Sequence, residues 1–210
     1  MLSLSCPSCG ANVNFQSKSS VFAVCSYCKS SLVRHDVNLE AIGKIADLRD
    51  DLTPIQVGTT GKVENEVFDV IGRLKVAYED GFWNEWYVLF GASGVGWLAE
   101  AQGFYAICKP DFDVKIPARE GLVPGKVLDF GSRGYFEVED IRLVSCIYSE
   151  GELPINAVQG RQSLSVDLTG FEDQMATIEY ADNENRLFIG SYQDFDLFQF
   201  KNLRPIDGWQ

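Results

Sequence analysis

Histidine is almost absent: His35 is the only one in the chain. That shortage removes most Ser/His and Cys/His nucleophilic chemistry. Cations are scarce as well, with 18 Lys and Arg against 30 Asp and Glu, and the formal net charge of −12 disfavours binding to phosphate backbones or anionic lipid. No stretch approaches the ~18 consecutive apolar residues of a membrane-spanning helix. Met1 to Ser5 lacks the basic and apolar regions of a secretory signal, so a cytoplasmic protein is expected. There is no phosphate-binding loop: Gly91-Ala92-Ser93-Gly94-Val95-Gly96 has no following Lys-Ser/Thr and reads as a hairpin turn between two strands.

Residues 1–35 have no carboxylate at all, only Lys18, Lys29 and Arg34, so a change of composition at Asp36 marks a module boundary. Inside this module, Cys6-Pro7-Ser8-Cys9 and Cys25-Ser26-Tyr27-Cys28 form two C-x2-C pairs 15 residues apart. Two thiolates two residues apart come from one tight turn, and two such turns complete a tetrahedron around Zn2+. Cys6, Cys9, Cys25 and Cys28 are therefore the expected ligands of one structural zinc ion, in a zinc ribbon too small to fold on its own core. Disulfides would require an oxidising compartment, and a redox C-x-x-C would not come as a matched pair. Ala11–Phe15 and Val21–Val24 are expected to pair as a hairpin across Ser17–Ser20. His35 reads as a solvated linker residue. Three positive side chains against the −2 of a zinc tetrathiolate are thin support for nucleic-acid binding.

Residues 36–54 read as a linker, with Leu39, Ile42, Ile45 and Leu48 at near-helical spacing and Pro54 as a stop, so a short helix is expected. From Ile55 the chain reads as strands separated by Gly-containing turns. Val67 to Gly103 holds three of the four tryptophans, Trp83, Trp86 and Trp97, and is the expected centre of the larger domain. Three motifs recur in order: Gly61-Lys62-Val63 as Gly125-Lys126-Val127, Phe68-Asp69-Val70 as Phe136-Glu137-Val138, and Tyr78-Glu79-Asp80-Gly81 as Tyr148-Ser149-Glu150-Gly151. The expected fold is mostly β: a zinc ribbon followed by a duplicated antiparallel β-barrel or sandwich, with β units at 55–118 and 119–210.

The stretches IGRLKVAYEDGFWNEWYVLF, GWLAEAQGFY, EGELP and DLTGFEDQMATIEY resemble the bacterial family called domain of unknown function 4178, over about Ile55 to Trp209. Members often carry a cysteine-rich ribbon in front, as here. The resemblance implies a fold and no established activity. Members of that family tend to sit in operons with membrane-associated and polyamine-synthesis-like proteins, so the resemblance implies an accessory role at most.

Strand alternation places Trp83, Glu85, Tyr87 and Leu89 on one face and Asn84, Trp86, Val88 and Phe90 on the other, as in a strand covered on both sides. Cys108 and Cys146 sit in apolar runs and read as buried small hydrophobes. Trp83, Glu85, Trp86 and Tyr87, with Glu152 in the second half, are the candidate ligand-binding residues, because carboxylates beside aromatic faces suit a cation such as a polyamine or a basic peptide. The preferred reading is a non-enzymatic accessory protein that binds a protein or a small cationic partner. The alternative is a carboxylate-based hydrolase, which requires a deep pocket lined by Glu85 or Glu152 with a raised pKa. Nucleic-acid binding through the ribbon ranks third.

Overall fold

Strand-forming residues dominate from the first line of the sequence, and the computed structural model describes residues 1–45, 52–91, 94–181 and 184–206. No α-helix occurs among them. The first half of the larger domain contributes β6 (Thr60–Val63), β7 (Glu66–Tyr78), β8 (Gly81–Phe90), β9 (Gly94–Ala101) and β10 (Phe104–Asp111). The second contributes β11 (Val127–Asp129), β12 (Tyr135–Leu153), β13 (Gln162–Thr169), β14 (Gln174–Tyr180) and β15 (Asn185–Tyr192). Each half is thus a short strand, a long one and three more, all antiparallel to their neighbours. β10 pairs with β15, and β7 pairs back onto β12, so eight strands close into a barrel. Closure removes the exposed edges that a sandwich would leave.

The recurring motifs do not all occupy matching places. Gly61 pairs with Phe68, whereas Phe136 pairs with Leu128 and not with Gly125. Glu79 and Asp80 are exposed in the β7–β8 turn, but Tyr148 to Gly151 runs on inside strand β12.

The wall is apolar on both sides. Leu74, Tyr87, Trp97, Val144 and Met175 point into the barrel, while Phe68, Trp86, Val88 and Leu98 form a second cluster outside it with Ile55 and Phe198. On the opposite wall, Val166, Leu168, Ala176 and Ile178 face outward and are covered by Leu122, Leu128 and Phe130. Stretches outside the barrel strands therefore cover its outer face, and those carrying Ile55 and Phe198 account for the two-sided burial of β8.

The ribbon comprises β1 (Leu2–Ser5), β2 (Asn12–Phe15), β3 (Phe22–Val24), β4 (Ser30–His35) and β5 (Asn38–Lys44). Two expectations are corrected here. β2 pairs with β1 and β3 with β4, so Ala11–Phe15 and Val21–Val24 do not form a hairpin with each other. Each C-x2-C turn instead closes its own hairpin, which leaves Gln16–Val21 free to cross to the barrel. The helix expected in the linker is strand over Asn38–Lys44, because Val33 and Leu32 offer it a ladder; residues 46–51 of that segment lie outside the described residues. β3 then pairs with the end of β12, Ala23 opposite Glu152 and Phe22 opposite Leu153, and joins the ribbon to the barrel.

The β7–β12 seam depends on two glycines. Gly72 and Gly151 are cross-strand partners, and a Cβ on Gly72 would lie 2.0 Å from the Glu152 carbonyl oxygen. A Cβ on Gly151, at φ +69°, would lie 2.3 Å from the Ile71 carbonyl oxygen. Neither obstacle is a flexible side chain. Gly151→Ala should therefore cost about 2–3 kcal/mol or more of stability, through steric overlap and an unfavourable φ. Urea unfolding measures it, and an unchanged midpoint would refute the role of the seam.

Candidate functional site

The barrel interior holds a cavity of about 60 Å³, room for roughly four waters. One side of it is apolar, with Trp97, Cys108, Cys146, Met175 and Phe188. The other is polar, with Glu85 from β8, Ser163 and Ser165 from β13, Thr177 and Glu179 from β14, and Arg161 just before β13. The polar side arises from alternation: apart from Met175, the apolar residues of β13 and β14 go to the covered outer wall, and the polar ones between them point inward.

Charges in this interior are unevenly satisfied. Glu179 receives Arg161 Nη2 at 2.7 Å on Oε1 and has Arg186 Nη2 at 3.5 Å from Oε2. Asp167 accepts from the hydroxyls of Thr177 at 3.1 Å and Ser165 at 3.3 Å; burial nonetheless raises its pKa. Glu85 has one donor, the Trp83 indole N–H at 2.9 Å on Oε1. Among the described residues Oε2 has no partner, and Glu85 lines the cavity. Burial in this low-dielectric interior pushes the Glu85 carboxyl up to about 7; repulsion from Glu179 and Asp167 adds to the shift, and the Trp83 N–H opposes it. The same burial pushes the Cys108 thiol to about 12 and Cys146 to about 11, which leaves both unreactive.

The residues singled out in the sequence separate. Trp83, Glu85 and Tyr87 face the barrel interior, and Glu85 lines the cavity itself. Trp86 points the other way. There its N–H donates to Glu100 Oε2 at 3.0 Å, beside Thr53 Oγ1 at 2.7 Å and Asn84 Nδ2 at 3.0 Å on the same oxygen. The Arg73 guanidinium lies 4.6 Å over the Trp86 ring and donates to Asn84 Oδ1. Glu152 is buried at the joint with the ribbon, where it accepts the backbone N–H groups of Gln16 at 2.8 Å and Ser17 at 3.2 Å. These five residues do not converge on one cage. The cavity partners Arg161, Ser163, Ser165, Thr177 and Glu179 escaped the sequence reading. The alternation of polar and apolar residues in Ser163–Thr169 and Met175–Tyr180 was the signal for them.

At the other end of the chain, the sulfurs of Cys6, Cys9, Cys25 and Cys28 lie within 4.8 Å of one another, an arrangement that can hold a metal ion. Cys6 and Cys28 are 3.7 Å apart and Cys9 and Cys25 3.8 Å. A tetrahedron with Zn–S bonds of about 2.3 Å has edges of about 3.8 Å, whereas a disulfide would need about 2.05 Å. The Ser30 hydroxyl and N–H pull Cys28 down to about 6, toward the thiolate that binds metal. For Cys9 the Ala11 N–H lowers the pKa, but desolvation and the other three sulfurs more than offset it, to about 12. Four sulfurs this close resist ionising together unless a cation sits among them. His35 is exposed and 3.2 Å from Glu40, away from this cluster.

A family model described as "Domain of unknown function (DUF4178)" matches residues 56–195, two thirds of the chain. The chain belongs to that family. The DUF4178 region takes in the whole barrel, β7 to β15, with its cavity, and leaves the cysteine ribbon outside the match. No curated protein and no solved structure matches this DUF4178 protein. No helix among the described residues is long and apolar enough to cross a membrane.

The Glu85 environment makes the stability of the DUF4178 barrel depend on pH. The folded protein keeps the Glu85 proton up to about pH 7, while the unfolded chain releases it near its ordinary 4.5. Stability should therefore fall as the pH rises through that window, by up to about 3 kcal/mol. Glu85→Gln cannot ionise and should lose this component, gaining on the unmutated protein between about pH 5 and about pH 8. Urea unfolding at the two values tests it, and parallel pH profiles for the two proteins would refute it.

Proposed function

We propose that this is a cytoplasmic, non-enzymatic accessory protein: a structural zinc ribbon on a β-barrel that arose by duplication of a five-strand unit, with a lumen that takes a small cationic ligand. The observation that carries the reading is Glu85, a cavity-lining carboxylate whose Oε2 has no donor among the described residues. Glu179 and Asp167 lie close enough to repel the Glu85 charge. A ligand ammonium beside Glu85 would relieve that repulsion and supply the missing hydrogen bond. The apolar wall of Trp97, Met175 and Phe188 suits a methylene chain behind the ammonium. At about 60 Å³ the lumen accepts the end of a linear amine such as a polyamine and excludes bulky or quaternary cations. The matched strand order of the two halves supports the duplication, and four sulfurs within 4.8 Å of one another support a tetrathiolate site, the donor set that suits zinc.

A second reading, carboxylate-based hydrolysis, draws on the same group, because a carboxyl held near pH 7 is poised for proton transfer. It fares worse, since Glu179, the other carboxylate among the described lining residues, is engaged by Arg161, and nearby Asp167 accepts from Thr177.

Titration calorimetry with spermidine should show saturable binding that Glu85→Gln weakens at least about tenfold, the loss expected when one charge-assisted hydrogen bond disappears. Equal affinities would remove the lumen from consideration. Metal analysis of the purified chain should return one zinc per polypeptide, and Cys25→Ser should lose it; stoichiometric zinc in that variant would contradict the ligand assignment.

A further inference from the structure

The loop between the two ribbon hairpins ends at a barrel residue. Ser19 Oγ is hydrogen-bonded to the Tyr87 hydroxyl at 2.8 Å, with Ser17 Oγ 2.7 Å from Ser19 and 3.4 Å from the same hydroxyl. Tyr87 is one of the inward-facing residues of β8 and packs on Trp97, a residue that lines the cavity, at 5.1 Å between ring centroids. Phe22, at the end of the loop, is fully buried in the same interior cluster as Trp97, Cys108 and Cys146. Glu152 grips the start of the loop through the N–H groups of Gln16 and Ser17. On its far side, Arg34 Nη2 donates to the Lys18 carbonyl at 2.7 Å.

No ladder joins the two hairpins among the described residues. β1 and β2 form a two-stranded sheet of their own, separate from the sheet that carries β3, β4 and β5. The chain between them is the loop itself. Across that gap the two hairpins meet through a small cluster around Phe15 and Leu32 and through the four cysteines, two from each hairpin. A metal ion bound by all four therefore sets the span of the loop. Seating the loop also has a cost: Ser20 Oγ is buried there with no hydrogen-bond partner among the described residues, which disfavours the seated state.

We propose that Gln16–Ser20 is a stopper for the barrel lumen, seated by Glu152 and Tyr87, and that metal held by Cys6, Cys9, Cys25 and Cys28 keeps it seated. Loss of the metal lets the hairpins part, releases the stopper and opens the cavity, while the closed barrel persists on its own seam. This regulates entry to the site assigned above to a cationic ligand. Its mechanics need no ligand, so the two readings can fail separately.

The test uses the full chain without amine. Methyl methanethiolsulfonate labelling, located by peptide mass spectrometry, reports access to Cys108 and Cys146 inside the barrel, and hydrogen exchange reports Gln16–Ser20. Adding a chelator should raise labelling at both barrel cysteines at least about tenfold and remove the protection of Gln16 and Ser17, while Val166 and Ile178 stay protected. Glu152→Ala should do the same with the metal still bound, because it removes two hydrogen bonds to a carboxylate. Ser19→Ala, a smaller change that keeps the backbone contacts, should give an intermediate increase. The proposal is overturned if chelation leaves labelling at Cys108 and Cys146 unchanged. It is equally overturned if Val166 and Ile178 lose protection together with the loop, since the ribbon would then hold the whole barrel together. Spermidine affinity measured on the same samples bears only on the ligand reading.

Discussion

The whole arrangement depends on how closely β7 and β12 approach at Gly72 and Gly151. Side chains at either position would meet backbone carbonyls, and without that approach the eight-stranded sheet would have two open edges in place of a seam. The seam also positions the next residues of β12. Glu152 and Leu153 come directly after Gly151, and they are the residues that receive the ribbon. Closure of the barrel and docking of the ribbon are thus consequences of one local geometry.

A closed barrel has an inside and an outside, and this one uses them in an uncommon way. Covering segments bury the outer face of β13 and β14, which frees the inner face from the task of making a core. Hydroxyls and carboxylates can then occupy the interior opposite an apolar wall. The cost is electrostatic. Arg161 and Arg186 both pair with Glu179, while burial first, and repulsion from Glu179 and Asp167 after it, raise the pKa of Glu85. The lone oxygen there is the clearest chemical asymmetry in the molecule.

The ribbon and the barrel are coupled through few groups, each of which does two jobs. Tyr87 contributes its ring to the interior and its hydroxyl to the ribbon loop. Glu152 belongs to the barrel strand and caps backbone donors of the ribbon. A buried carboxylate with two N–H partners is stable only while both remain in place, so the contact is firm when seated and has little intermediate ground.

Local chemistry was legible from residue order alone. The two C-x2-C pairs define four ligands because thiols two residues apart in a turn have little choice of direction, and the Gly-punctuated apolar runs define strands because a period of two has one structural meaning. The same alternation placed Glu85 opposite Trp86 on β8. Partners distant along the chain were not legible. Nothing near Glu85 in sequence points to Arg161 or Glu179, since register across a closed barrel is set by the glycine seam and the bulge beside it. Nor could local pattern say that Val13 would seek Leu4 rather than Val24, or that Leu39 would join a strand, because both choices depend on which ladder stands free after the rest has folded. The sequence determined which residues can bind a metal and which can form strands; the tertiary structure decided which carboxylate would be left unpaired, because that is a property of the enclosed space they share.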